Sequence, residues 1–184
     1  MPQSFDLYFV SSNKHKFHEA KKILSSFGID LGFYKSELEE IQSDSIQQIA
    51  SKKACNAFAK LKKPVIVEDD GLFINSLGGF PGPYSSYVFK TIGNSGILNL
   101  VKNNRSAKFV SIISFVDKNC SKSFEAKIDG RISKIQKGKG WGYDPIFIPV
   151  AKSKTFAELS NKNELSHRFK SLKKFANWYL HKRK

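Results

Sequence analysis

A chain of 184 residues that is 40% hydrophobic and 26% charged carries enough apolar material for one globular domain, and its composition excludes a disordered or fibrous protein. Its 31 Lys and Arg against 16 Asp and Glu give a net charge of +15, which suits an anionic partner such as a polyphosphate or nucleic acid, and equally suits a solvated lysine-rich surface. No apolar run approaches the ~18 residues of a spanning helix, Met1 to Asp6 lack signal-peptide features, and Cys55 and Cys120 show neither paired-thiol nor metal-ligand spacing; a soluble, cytoplasmic protein with reduced cysteines and no membrane partner is expected.

In chain order, FDLYFV (5–10) reads as a strand. Phe17, Ala20, Ile23, Leu24 and Phe27 then recur at helical spacing up to Gly28, a C-terminal cap. Ile46, Ile49, Ala50, Ala54, Ala57, Phe58 and Leu61 form a second helical stripe, capped by Ser43 or Asp44 and closed before Pro64. PVIV (64–67) reads as a short buried strand. Residues 107–117 and 123–133 read as two strands joined by a turn at Lys118-Asn119-Cys120. A last helix starts near Glu164 and sets Leu165, Phe169, Leu172, Phe175, Ala176, Tyr179 and Leu180 on one face. Helices and strands alternate early and strands pair antiparallel later, so the predicted class is α/β with a mixed sheet. No repeat or linker divides the chain, which is read as one domain over 1–184.

Four segments interrupt these patterns. In SSNKHK (11–16), small polar residues at a helix N-terminus with Lys14 and Lys16 make an anion seat; the competing reading is a plain N-cap at Ser12 or Asn13. VIVEDDG (65–71) sets Glu68, Asp69 and Asp70 in a row. Adjacent carboxylates repel unless a cation or proton sits among them. Mg²⁺ takes one or two carboxylates plus phosphate oxygens, and Glu39-Glu40 adds further acids; a solvated Asp-Gly turn is the alternative. On a strand, alternate side chains share a face, so Glu68 and Asp70 are expected to oppose Asp69 unless the chain turns at Gly71, with Glu68 an accessory or structural acid. In GKGWGYDPIF (138–147), glycines beside Trp141 and Tyr143 either let a flat ligand stack or form a tight turn capping the core. In LSNKNELSHRFKSL (159–172), Ser166, His167 and Arg168 open the last helix, with donors suited to phosphate or a base carbonyl.

Taken together, SSNKHKFHEAKKIL, VEDDGLFINSLGGFPGPYS, GKGWGYDPIF and FAELSNKNELSHR resemble, in order and spacing, the inosine triphosphate pyrophosphatase family, and residues 38–57 look like its archaeal and eukaryotic branch. The resemblance implies hydrolysis of deaminated purine nucleoside triphosphates (ITP, dITP, XTP) to monophosphate and pyrophosphate, with Mg²⁺ as cofactor. It implies that Ser11, Ser12, Asn13, Lys14, His15 and Lys16 hold the triphosphate, helped by Lys53. Glu40 and Asp69 would bind the metal, and Asp69 would also orient or deprotonate the attacking water. Trp141, Gly142, Tyr143 and Asp144 would surround base and sugar, while Lys162, His167 and Arg168 would contact the base. The implied fold is an elongated mixed sheet with helices in two lobes and a central active-site cleft, and homodimers are the family habit.

Base choice follows from edges: a donating His167 and Arg168 would pair with an oxygen at C6 and meet a donor in ATP. Two positions depart from the family pattern. Asp70, counted with the substrate-binding residues, stands where Ser or Thr is usual, and Ser86 stands where a basic residue is common. A basic nucleic-acid-binding protein is the rival class, but the acidic cluster has no task in it, so a small-molecule substrate is expected and nucleic acid is not. A related housecleaning pyrophosphatase of other nucleotide preference shares the architecture, against which the Ser166-His167-Arg168 triplet argues.

Overall fold

The computed structural model describes residues 5–182. The described chain divides into two compact units. The first takes in the described residues up to Asp69, then Ser111–Ala126, and those from Arg168 on; the second is Asp70–Val110 with Lys127–His167.

In the first unit, β1 (Tyr8–Ser11) leads into α1 (Lys14–Ser25), β2 (Gly32–Lys35) and α2 (Ile46–Leu61) before β3 (Val65–Ile74) begins. β1 pairs in parallel with β2, Phe9 opposite Phe33, and in parallel with β3, Tyr8 opposite Val65. Phe17, Ala20, Ile23 and Leu24 bury one stripe of α1, the 3.6-residue period expected of a helix on a sheet. Leu172, Phe175, Ala176 and Tyr179 of α6 (His167–Lys182) join the same core as Phe9 and Phe115. A fully buried side chain of this size stabilises by about 1.5–3 kcal/mol, so this stripe holds α6 against that core. α2 is capped by Ser45, whose side chain accepts from the Gln48 amide, one position beyond the predicted Asp44 and two beyond Ser43. Ser43 Oγ instead accepts from the Ser45 amide at 3.1 Å.

The second unit holds the far half of β3, with β4 (Pro81–Gly82), α3 (Ser85–Thr91) and α4 (Gly93–Leu100). β5 (Ser106–Val116) and β6 (Ser121–Ile132) follow, and the unit boundary falls within each of these strands as it does within β3. β7 (Phe147–Pro149) pairs antiparallel with β6, Arg131 opposite Ile148, and α5 (Lys162–Leu165) precedes α6. Leu72, Ile74, Val88, Ile97, Phe109, Ile128, Phe147 and Phe156 make this unit's core. The seven strands form one mixed sheet in the order β2-β1-β3-β5-β6-β7, with β4 on β3. That is the predicted α/β class.

Two elements differ from the sequence prediction, and four were not predicted. β3 does not stop at Val67 but runs to Ile74 through the three acids and Gly71, so the acids sit within a strand and not on a turn. The last helix does not run unbroken from Glu164: Ser166 is extended, with φ −66° and ψ 157°, between α5 and α6. β2, β4, α3 and α4 had no sequence prediction at all. No helix among the described residues is long and apolar enough to cross a membrane.

Candidate active site

Asp69 lies within β3, so strand geometry directs its carboxyl. Lys53, midway along α2, donates to Asp69 Oδ1 at 2.6 Å and to Glu40 Oε1 at 2.5 Å. The lysine is buried and the Asp69 side chain largely so, whereas the Glu40 side chain is 65% exposed. Asp69 Oδ2 is buried with no hydrogen-bond partner among the described residues. Burial pushes the Asp69 carboxyl above the ordinary aspartate range, although Lys53 and Lys16 pull it back down. An orphaned, desolvated carboxylate oxygen is costly unless a cation or proton reaches it.

These residues fit a hard divalent cation. Asp69 supplies a bare oxygen and Glu40 an accessible one, the one or two carboxylates that Mg²⁺ usually takes from protein. No group of three or more His, Cys, Asp or Glu able to hold a metal occurs among the described residues, so water and substrate oxygens would complete the coordination.

Glu68 and Asp70 are engaged elsewhere, as alternation along a strand requires. Glu68 has a fully buried side chain; Arg168 Nε donates to both of its oxygens at 2.8 Å, and Ser111 Oγ donates to it at 3.0 Å. Arg168, itself 3% exposed, also donates through Nη1 to Glu19. Glu68 is thus the structural acid, held by a charge-assisted fork. Asp70 pairs with His167, the residue before Arg168.

At the predicted anion seat, the N-cap reading at Asn13 holds. Asn13 is the N-cap: its Oδ1 accepts from the His15 amide at 2.9 Å and the Lys16 amide at 3.3 Å, and its own amide donates to Ser11 Oγ at 3.0 Å. The His15 and Lys16 amides are thereby in use within the cap. Ser12, Lys14 and His15 are exposed there, and Lys16 is near enough to lower the Asp69 pKa.

In the second unit, the glycine-aromatic segment folds as a built loop. Gly142 takes φ +61°, a backbone region that other residues rarely adopt. Its carbonyl accepts from Asn94 Nδ2 at 3.1 Å. Tyr143 is buried, donates its hydroxyl to the Ser85 carbonyl at 2.9 Å and meets Phe89 edge-on; burial pushes its phenol well up, so it stays a neutral donor. Tyr143 therefore anchors the loop in the core, while Trp141 is 42% exposed. Buried Asp144 accepts from Lys162 Nζ at 2.6 Å. The His167 ring lies flat on Phe109, 4.5 Å between centroids and 8° between planes.

Structure thus brings Glu40, Lys53 and Asp69 together, and separately Trp141 to Asp144 with Lys162, and His167 with Asp70. Glu19, Asn94, Phe109 and Ser85 had no sequence signal, because each acts through a partner distant in the chain.

The chain is a mixed-sheet α/β protein with a lysine-bridged pair of carboxylates, one of them carrying a bare oxygen. The sequence model of the Ham1 family matches residues 7–178, and the chain belongs to that family. It is 48% identical over 177 residues to a dITP/XTP pyrophosphatase of Methanopyrus kandleri, covering 93% of this chain and 94% of that protein. It is 44% identical to a dITP/XTP pyrophosphatase of Pyrococcus horikoshii, covering 94% and 95%. Among solved structures, the Staphylococcus aureus Ham1 protein superposes with TM-score 0.78 at 27% identity, covering 95% of this chain and 99% of that one. A Coxiella burnetii HAM1 protein superposes with TM-score 0.84 at 24% identity, covering 97% and 100%, a likeness of fold. The family resemblance drawn from the four motifs is borne out.

Proposed function

We propose that this chain hydrolyses deaminated purine nucleoside triphosphates, ITP, dITP and XTP, to the monophosphate and pyrophosphate in the presence of Mg²⁺, removing them from the nucleotide pool. The observation that carries the reading is Asp69: a buried carboxylate with one oxygen on Lys53 and the other unpaired, in a chain whose relatives bear the name dITP/XTP pyrophosphatase. The family match runs through both units without a break, which supports treating the whole chain, 1–184, as one nucleoside triphosphate pyrophosphatase domain.

Phosphoryl transfer of this kind needs positioning and charge neutralisation more than covalent chemistry. Asp69 orients a water for attack on the α-phosphorus and accepts its proton, a task suited to a carboxyl whose pKa lies above the ordinary range. Mg²⁺, held through Asp69 and Glu40, would offset phosphate charge when bound. Lys53 keeps those two acids at a fixed separation and adds positive charge. Ser11 to Lys16 meet the triphosphate through Ser12, Lys14, His15 and Lys16, with Ser11 and Asn13 shaping the turn. On the base side, Trp141 offers its ring for stacking, Gly142 and Tyr143 hold the loop, and Asp144 fixes Lys162. His167 and Arg168 contact the base; the guanidinium has five N–H groups, enough to tie Glu68 and Glu19 and still reach a ligand.

A cytoplasmic homodimer fits the family habit, and sedimentation of the purified chain tests the second half of that statement. The activity is tested by initial rates across ITP, dITP, XTP, GTP and ATP with Mg²⁺. The deaminated substrates should be turned over far faster than ATP. Equal rates on ITP and ATP would remove the reading.

A further inference from the structure

Asp70 stands where the family resemblance leads to Ser or Thr, and the metal and phosphate chemistry gives it no part. Its Oδ2 lies 3.7 Å from Nε2 of His167, and the two side chains are 17% and 6% exposed. Stacking on Phe109 fixes the plane of the imidazole, so its polar contacts can be made only at the ring edge. One nitrogen on that edge has the carboxylate beside it. The other, Nδ1, is buried and lacks a hydrogen-bond partner among the described residues. Buried polar atoms are almost always paired, and one left over calls for a ligand or water to complete it.

We propose that Asp70 is a positioning residue that sets base preference through His167. The carboxylate favours the proton on Nε2, and Nδ1 then presents a lone pair to the N1–H edge of an oxo-purine. This rests on the reading of the chain as a purine triphosphate hydrolase. Hypoxanthine, xanthine and guanine carry a hydrogen on N1, whereas N1 of adenine is itself a lone pair and would meet Nδ1 in repulsion. The partner on one ring nitrogen decides the state of the other. Serine or threonine in place of Asp70 would both accept and donate, and so would hold the tautomer less firmly. His167 is then an acceptor and not the donor expected from sequence, and the oxygen at C6 falls to Lys162 or Arg168. Asp69, the preceding residue, turns to Lys53, and side-chain alternation along β3 turns Asp70 to the other face.

The tautomer can be read without turnover. The chain has four histidines, of which His15, His18 and His181 are exposed; replacing those three with Gln leaves His167 as the sole imidazole for ¹⁵N NMR. At mildly alkaline pH, Nε2 should carry the proton and Nδ1 should be bare. Asp70→Asn and Asp70→Ser should each give a mixture of tautomers. In otherwise unaltered chains the same substitutions should lower the ratio of kcat/KM for ITP over ATP by about ten- to a hundredfold, with the Mg²⁺ concentration for half-maximal rate unmoved. A proton on Nδ1 in the Asp70 protein would overturn the proposal. So would Asp70 variants that keep both tautomer and base ratio, or that shift Mg²⁺ dependence alone. Failure of the Asp70 protein to hydrolyse ITP at all would end the functional reading instead, while the spectrum still decides the tautomer.

Discussion

Lys53 and Asp69, sixteen residues apart on α2 and β3, meet at 2.6 Å, and the carboxyl oxygen that the lysine does not reach has no other protein partner among the described residues. Burial holds the Asp69 carboxyl above the ordinary range against the pull of Lys53 and Lys16. In the proposed mechanism Asp69 acts as a charged group that orients water and takes its proton, so turnover should fall as pH drops through that raised value. Lys53→Met removes the largest opposing charge and should move the acid limb of the kcat/KM profile to higher pH. An unmoved limb would mean that Asp69 is not the titrating base.

The same shift has a consequence for stability. The folded state binds the Asp69 proton more tightly than the unfolded chain does, so the stability tied to this group is fully present below the unfolded pKa and is lost as pH rises through the folded one. Asp69→Asn removes that loss while keeping shape. Its melting temperature at neutral pH should equal or exceed that of the Asp69 protein, and turnover should drop by a factor of ~10² or more. A melt depressed in proportion to activity would assign Asp69 a structural role.

Helix stripes and the long strands were legible because burial repeats at 3.6 and 2 residues: Phe17 to Leu24 and Leu172 to Tyr179 were placed on the right faces. The acids in β3 were legible in part: alternation set Asp69 against Glu68 and Asp70, but the end of the strand was placed at Val67, and the partner that makes a buried Glu68 tolerable, Arg168, lies 100 residues on. α4 escaped notice because Gly93-Asn94-Ser95-Gly96 looks like loop; its burial rests on Ile97 and the second core. Glu40, Lys53 and Asp69 were readable as types with a motif order, and Asn13 was one of two N-cap candidates, but which of the two accepts from the His15 and Lys16 amides depends on backbone geometry that spacing does not give.

Arg168→Ala leaves the Glu68 carboxylate, whose side chain is fully buried, without its counter-ion. Stripping one partner from such a pair costs about 3–5 kcal/mol, measurable by urea unfolding. Glu68→Gln with Arg168→Met should recover a large part of that loss. Arg168→Lys, which keeps charge without the fork, should stay folded and erode the preference for ITP over ATP by about 1–3 kcal/mol of transition-state binding. An unchanged preference would confine Arg168 to holding Glu68 and Glu19.

Asn94 donates to the Gly142 carbonyl across 48 positions of sequence. Asn94→Ala frees the loop that carries Trp141, at about 0.5–1.5 kcal/mol for the lost bond. The expected result is a raised KM for ITP, by up to about tenfold, with kcat changed little. A fall in kcat at constant KM would place this loop in the chemical step.

The central claim is that water assisted by Asp69 attacks the α-phosphorus and pyrophosphate leaves. Hydrolysis of ITP in ¹⁸O-water, with products resolved by mass spectrometry, tests it most directly. The account predicts one ¹⁸O in inosine monophosphate and none in pyrophosphate. Label in pyrophosphate, or labelled orthophosphate as the first product, would contradict it.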